Sequence, residues 1–365
     1  MHDPLKGARA RGPGAYLRTQ LGAATPGFSC GIYMAGRALD RDFDGDAVLE
    51  PERHPVSPWT LYDLASLTKP LATALLALRA RDLGLLDLER PLPGAAGEPF
   101  TPLDLLRHEA GFPAWVPLYG RARTREEARE WLLRRCLRDP VGERAVYSCV
   151  GYLLLGFLLE ELLHGNLGAL FRSHVADPLG VTEREACFHP AGPLAEIAAT
   201  ERHGAHEAEM ARRDGAEAPR VPARGLWGIV HDGNARFLGG AAGNAGLFGT
   251  VSGVAKLASA FLPASGFLSP ASRELAWTPG RAPEGEARTA GWKRAASPGW
   301  TAGAALPPGA VGHEGFTGTS VWMEPEGEKV YILLTNRIHP RHPGTEFGAI
   351  RAEFLRRART LAERA

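Results

Sequence analysis

The sequence predicts an α/β (α+β) chain in which an antiparallel sheet, flanked by helices, receives a large and mostly helical insertion. Strand-like runs occur at Gly31-Ile-Tyr-Met-Ala and before Pro58, and return at Ser320-Val-Trp-Met and Lys329-Val-Tyr-Ile-Leu-Leu-Thr335. Helical signals dominate from Pro70 to about Pro298. The 365 residues suffice for a sizeable core and for two or three domains. The expected division is a discontinuous sheet domain, residues 1–69 and 299–365, and a helical domain, residues 70–298, with an active site between them.

Residues near 14–22 read as a leading helix, and Asp40–Asp46 as a turn-rich break between strands. Leu71, Leu75 and Leu78 recur at helical spacing up to Gly84, a helix terminator. Thr101-Pro-Leu-Asp104 supplies a cap, a first-turn proline and an early acid, and Thr124-Arg-Glu-Glu127 fits a capping box ahead of Ala128, Trp131 and Leu132. Residues 203–224 and 279–300 lack periodicity and read as long surface loops. A last helix, about Thr345 to Ala365, carries Phe347, Ile350, Phe354 and Leu361 on one apolar face.

The chemistry begins at Ser66-Leu-Thr-Lys69. A Ser and a Lys three apart at a helix start share one face, and a neighbouring lysine can take the hydroxyl proton if its surroundings keep it neutral. A second stretch, Gly142-Glu-Arg-Ala-Val-Tyr147-Ser148-Cys149, delivers a tyrosine to the mouth of an apolar helix. A third, Val311-Gly-His313-Glu314-Gly315-Phe316, is a strand leading into glycines that allow close backbone approach to a ligand.

In this order and at these separations the three stretches resemble the signatures S-x-x-K, Y-x-N and K-T-G (or H-x-G) of the serine β-lactamase/DD-peptidase superfamily. The resemblance is to its class C-like branch, which includes D-alanyl-D-alanine carboxypeptidases, D-amino-acid peptidases and β-lactamase-fold esterases. Asp104 to Trp115, Ala199-Thr-Glu-Arg202 and Val230 to Phe248 look like the penicillin-binding protein 4B-like members, and the resemblance runs from about residue 14 to the C-terminus. It implies the β-lactamase/transpeptidase-like fold and acyl transfer through a covalent intermediate on Ser66. Lys69 and Tyr147 would share the general-base work, and which of them holds the proton at rest stays open. The backbone N–H groups of Ser66 and Phe316 would form the oxyanion hole. His313 would take the place of the family's third-motif lysine, orienting the Tyr147 hydroxyl and the substrate. Cys149, Glu314 and Gly315 would meet the substrate.

Two positions depart from the pattern. Cys149 stands where the family has Asn or Asp, and a thiol cannot replace a carboxamide. Glu314 stands where a small polar residue is usual, and its charge would repel a substrate carboxylate unless His313 or an arginine compensates. The expected protein is therefore a serine hydrolase acting on a small ester or amide, as an esterase or a D-amino-acid or muropeptide peptidase. The alternatives are a catalytically weak relative that binds or assembles, and a β-lactamase. The sequence leaves the natural substrate and the oligomeric state open.

A formal net charge of +1 gives no reason to expect a nucleic-acid partner. Val150 to Leu159, the longest apolar run, is far short of a membrane span, and Met1–Ala10 lacks the apolar core of a signal peptide. Cys30, Cys136, Cys149 and Cys187 show no paired spacing and read as free thiols, so a cytoplasmic setting is expected. No cofactor or metal is implied: His203-x-x-His206 and His339-x-x-His342 read as surface histidines. Gly27-Phe-Ser29-Cys-Gly31 matches a nucleophile-elbow pattern but has a turn before it and a strand after it, so it reads as chance.

Overall fold

A computed structural model describes residues 12–92, 98–134, 136, 139–297, 302, 305–341 and 347–365. His342 and the Met1–Ala10 stretch lie outside them. The main sheet has seven strands in the order His54–Pro55, Arg37–Val48, Gly27–Met34, Lys329–Thr335, Ser320–Glu324, Val311–Glu314 and Lys293–Arg294. Every pairing is antiparallel. Both faces of its centre are apolar because both are covered. Cys30, Ile32, Tyr331 and Leu333 pack with Leu17 and with Phe354 and Leu355 of the terminal helix, Gly348–Ala362. Val330, Ile332 and Leu334 join a larger core continuous with the helical part of the chain.

The sheet gathers its last strand, Lys293–Arg294, from before residue 299. Three sequence expectations need correction. Asp40–Asp46 is no break but the middle of a 12-residue strand, Arg37–Val48. Its acids are exposed or half-buried and tolerated there, since Arg18 of the leading helix Pro13–Arg18 bridges Asp42 at 2.6 Å and Asp44 at 2.7 Å. Pairing with Gly27–Met34 overrides the low strand preference of Asp. Residues 203–224 are not all loop: Ala205–Arg213 is a helix that buries Glu207 and Ala211 four apart. The 279–300 stretch contributes two short strands, Glu284–Gly285 and Lys293–Arg294.

Other elements match their local signals. Thr101 and Asp104 form the reciprocal capping box of the Pro102–Leu106 helix. Gly84, at φ +71°, follows the Leu75–Asp82 helix. The apolar helix Cys149–Leu162 is capped by Ser148, whose Oγ accepts the Gly151 N–H at 2.9 Å. Among the described residues no single helix is long and apolar enough to cross a membrane.

This helix meets the 240–246 loop at Gly243, where a Cβ would lie 1.9 Å from the Tyr152 carbonyl oxygen. Gly243→Ala should therefore cost about 1–3 kcal/mol, the usual penalty of overpacking, measured by denaturant unfolding. Wild-type stability would show that the loop can retreat.

Candidate active site

Ser66 lies on a short 3-10 turn, Ala65–Leu67, and the helix behind it opens with a widened π-type segment, Lys69–Ala74, before the regular turns of Leu75–Asp82. Ala65 is held at φ +47°, a conformation costly for a residue with a Cβ and typical of functional turns. The buried carboxylate of Asp63 fixes it, accepting the Ala65 N–H at 2.8 Å and the His231 N–H at 2.7 Å. Lys69 Nζ donates to Ser66 Oγ at 3.1 Å and to the Asn244 carbonyl at 3.1 Å. The Tyr147 hydroxyl donates to Ser66 Oγ at 2.7 Å. Cys149 Sγ stands 4.0 Å from that hydroxyl.

The third stretch reaches Ser66 through a tight turn. Gly315 N–H donates to the Thr319 carbonyl at 2.7 Å, while the hydroxyls of Thr317 and Thr319 donate to the Asp63 and Leu64 carbonyls at 2.7 and 3.1 Å. A Cβ at Gly315 would come within 2.6 Å of the Leu64 oxygen, so only glycine lets the strand approach the nucleophile segment this closely. Phe316 follows, stacked on His231 at a centroid distance of 5.3 Å and tilted against His206 at 4.7 Å.

Ser66, Tyr147, Cys149, His313, Glu314, Gly315 and Phe316 all line one cleft of about 590 Å³. Lys69 lies beneath it with no solvent exposure. Burial works against its ammonium, but Cys149 and Tyr147 facing it hold the Lys69 pKa above its ordinary value. Burial, with Cys149, also pushes the Tyr147 phenol up, against the pull of Lys69. His313 is pushed well below the usual range, by burial first and then by Arg288 and Lys69. Its Nδ1 lies 2.9 Å from the Glu314 carbonyl, which assigns the proton to Nδ1. Its buried Nε2 has no hydrogen-bond partner, so in this structure His313 packs beside Tyr147 without holding its hydroxyl.

At Glu314 the compensating arginine that the sequence reading allowed for is present. Arg351, from the terminal helix, bonds Glu314 at 3.1 Å and donates to the Gly315 carbonyl at 2.9 Å. The two opposite charges offset each other, with Arg351 buried and Glu314 half-buried at the cleft wall. Sequence reasoning missed Arg351, Asn244, Arg288 and Glu286, and also the wall of His206, Glu207, His231 and Asp232. The Val230 to Phe248 passage was the available signal for His231 and Asp232. Burial and Asp232 push Glu207 up to about 7.

The remaining candidates separate from the site. Ser29 is buried in a strand with its Oγ 3.1 Å from the Tyr62 hydroxyl. His339 is not a surface residue but a buried one, accepting the Leu49 N–H and bonding the Thr200 carbonyl at 2.8 Å. His206 faces the cleft. Among the described residues no group of three or more His, Cys, Asp and Glu could hold a metal ion.

A serine hydroxyl within hydrogen-bond distance of a buried lysine and a tyrosine, in an α/β fold, is an arrangement suited to nucleophilic catalysis. Residues 17–353 match the Beta-lactamase family, and the chain belongs to it. A relative from Salmonella paratyphi A, named "Putative D-alanyl-D-alanine carboxypeptidase", is 30% identical over 332 residues, covering 82% of this chain and 74% of its own. The solved structure of EstCE1, a hydrolase with promiscuous acyltransferase activity, aligns with a TM-score of 0.71 at 20% identity, covering 98% of this chain and 99% of that one. A class C β-lactamase from Rhodobacter sphaeroides aligns with a TM-score of 0.68 at 19% identity, covering 96% of this chain and 99% of its own. These two structures share the fold.

Breaking the Glu314–Arg351 pair at one partner leaves an uncompensated charge. Arg351→Met should cost about 3–5 kcal/mol, and adding Glu314→Gln should recover part of it in denaturant melts. An unchanged melt for Arg351→Met would mean that water already reaches Glu314.

Proposed function

We propose that the protein is a serine hydrolase that transfers an acyl group from a small ester or amide to Ser66 and then to water. The observation that carries this reading is the Ser66 Oγ with Lys69 Nζ at 3.1 Å and the Tyr147 hydroxyl at 2.7 Å, at the foot of an open cleft. Ser66 Oγ attacks the carbonyl carbon, its proton passes to the Lys69/Tyr147 pair, and the carbonyl electrons move onto oxygen. The backbone N–H groups of Ser66 and Phe316 are the proposed donors to that oxyanion. Collapse expels the leaving group, which takes the proton back, and water repeats the sequence on the acyl-enzyme.

Esters are the favoured substrates. Cys149 offers no carboxamide to hold a substrate amide, and an activated ester needs none. The Glu314–Arg351 pair removes the charge argument against carboxylate substrates, so discrimination against β-lactams rests on Cys149. A second reading, hydrolysis of a D-amino-acid peptide, draws support from Arg337 in the cleft lining and from the name of the Salmonella relative.

A fluorophosphonate should label the peptide containing Ser66, and Ser66→Ala should abolish labelling. Labelling that persists in Ser66→Ala and vanishes in Ser29→Ala would overturn the assignment. Lys69→Ala and Tyr147→Phe should each slow turnover by about 10²–10⁴-fold with small changes in melting temperature. Hydrolysis of p-nitrophenyl acetate should exceed that of nitrocefin, and nitrocefin turnover at a rate typical of a β-lactamase would reverse the substrate order.

The pH dependence has a definite sign. Both Lys69 and Tyr147 have raised pKa values, so at neutral pH the pair carries its full complement of protons. The acylating form lacks one of them, and its population grows as pH rises. The kcat/KM for the ester should therefore climb through the alkaline range until the pair titrates. A profile falling above neutrality would contradict this proton count.

A further inference from the structure

The strand that carries His313 brings no positive charge to Tyr147, because that imidazole is neutral. A cation comes instead from a different segment. The Arg288 guanidinium carbon lies 4.9 Å from the Tyr147 ring centroid, and the residue is 2% exposed. Lys69 Nζ lies 5.0 Å from the same centroid. The other groups facing the ring are Ser66, Cys149 and the neutral imidazoles of His108 and His313, whose centroids lie 5.0 and 5.7 Å away. Tyr147 thus sits between the charges of Lys69 and Arg288.

The segment that delivers Arg288 is fixed on both sides. The Arg288 carbonyl accepts the Gly280 N–H at 2.8 Å, and Thr289 N–H donates to the Trp292 carbonyl at 2.9 Å across a tight hairpin. Gly291, at φ +92°, seats that hairpin on the helix that follows Lys69: a Cβ there would lie 2.8 Å from Ala74 Cβ and 3.5 Å from Pro70 Cα. Behind the guanidinium, Glu286 pairs with Arg288 and accepts Lys293 Nζ at 2.6 Å. Arg288 and Lys293 have side chains only 1% exposed, and both bond Glu286. Burial lowers the Lys293 pKa to about 7 against the pull of Glu286, and burying a charge as Arg288 does is a poor stabilising device, since an apolar side chain of similar volume would avoid the desolvation cost.

We propose that Arg288 is a positioning residue that acts through Tyr147, its charge favouring the phenolate that accepts the Ser66 proton, with Glu286 attenuating that charge. The catalytic consequence rests on the acyl-transfer reading; the effect on Tyr147 does not. In the step itself the Ser66 O–H bond breaks as the Oγ–carbon bond forms, and the proton moves to Tyr147 Oη. Arg288 exchanges no proton and touches no substrate.

The test is a titration of the Tyr147 phenol by ¹³Cζ NMR on the full-length protein, assigned by the resonance lost in Tyr147→Phe. At about 5 Å and an effective dielectric near 20, removing a unit charge moves a neighbouring titration by roughly two pH units. Arg288→Met should shift it upward by that amount, and Arg288→Lys should restore most of it. Glu286→Gln should shift it downward. In catalysis Arg288→Met should lower kcat by about 10–100-fold with KM within about twofold, and move the alkaline limb to higher pH. A Tyr147 titration unmoved in Arg288→Met overturns the proposal. If that variant does not fold, an unmoved or upward shift in Glu286→Gln overturns it equally. Absence of Ser66 labelling would sink the hydrolase reading alone, because the NMR titration needs no turnover.

Discussion

A lysine without solvent access has to be held by its surroundings, and the architecture around Ser66 follows from how Lys69 is held. Moving an ammonium out of water is costly unless hydrogen bonds and opposing charge or dipoles replace the lost hydration. Here the Asn244 carbonyl and Ser66 Oγ accept its protons, and the rings of Tyr147 and Tyr152 lie 5.0 and 6.0 Å away. The Asn244 carbonyl can be there only because Gly243 and Gly156 let the loop press onto the Cys149–Leu162 helix. The glycines of this loop therefore serve a buried charge.

Burial, then Arg288 and then that buried cation set the state of the neighbouring histidines. His108 and His313 are forced neutral, with Lys69 and Arg288 both contributing after burial itself. Neutral, His313 turns Nδ1 to the Glu314 carbonyl and keeps a buried acceptor at Nε2. Further charges enter as compensated groups: Glu314 with Arg351, and Glu286 with Arg288 and Lys293. Glu314 shows how misleading a single position can be. Read alone it is a repulsive anion, yet paired with a residue 37 positions later it becomes a neutral hydrogen-bonded strut that also binds the Gly315 carbonyl.

What the sequence made legible was local. Ser66 and Lys69 are three residues apart, Thr101 and Asp104 cap their own helix, and Gly315 marks a close backbone approach. Each of these signals needs only its immediate neighbours. The misreadings were of the opposite kind. Arg37–Val48 is rich in Asp and Gly and is a strand because a partner strand and Arg18 make it one. Ala205–Arg213 is a helix whose inward face is Glu207 and Ala211, so no apolar stripe announces it. Arg288 and Arg351 lie far along the chain from the residues they serve, and nothing in an isolated arginine says which buried group it will meet.

The same reasoning explains why the nucleophile sits where it does. The segment from Asp63 to Ser66 is tied to both halves of the fold. From the sheet side, Thr317 and Thr319 donate to the Asp63 and Leu64 carbonyls. From the helical side, Leu64 N–H donates to Leu247 at 3.0 Å, and the Asp63 carboxylate takes the His231 N–H. Holding Ala65 at positive φ requires such over-determination, because a free turn would relax to a more populated conformation. Ser66 is thus fixed by the seam rather than by either half, with Lys69 approaching from beneath and Tyr147 from the facing turn. A substitution in either half that shifts the seam by a few tenths of an ångström alters the nucleophile's hydrogen bonds together, which makes the geometry of Ser66 more sensitive to packing than its surface position suggests.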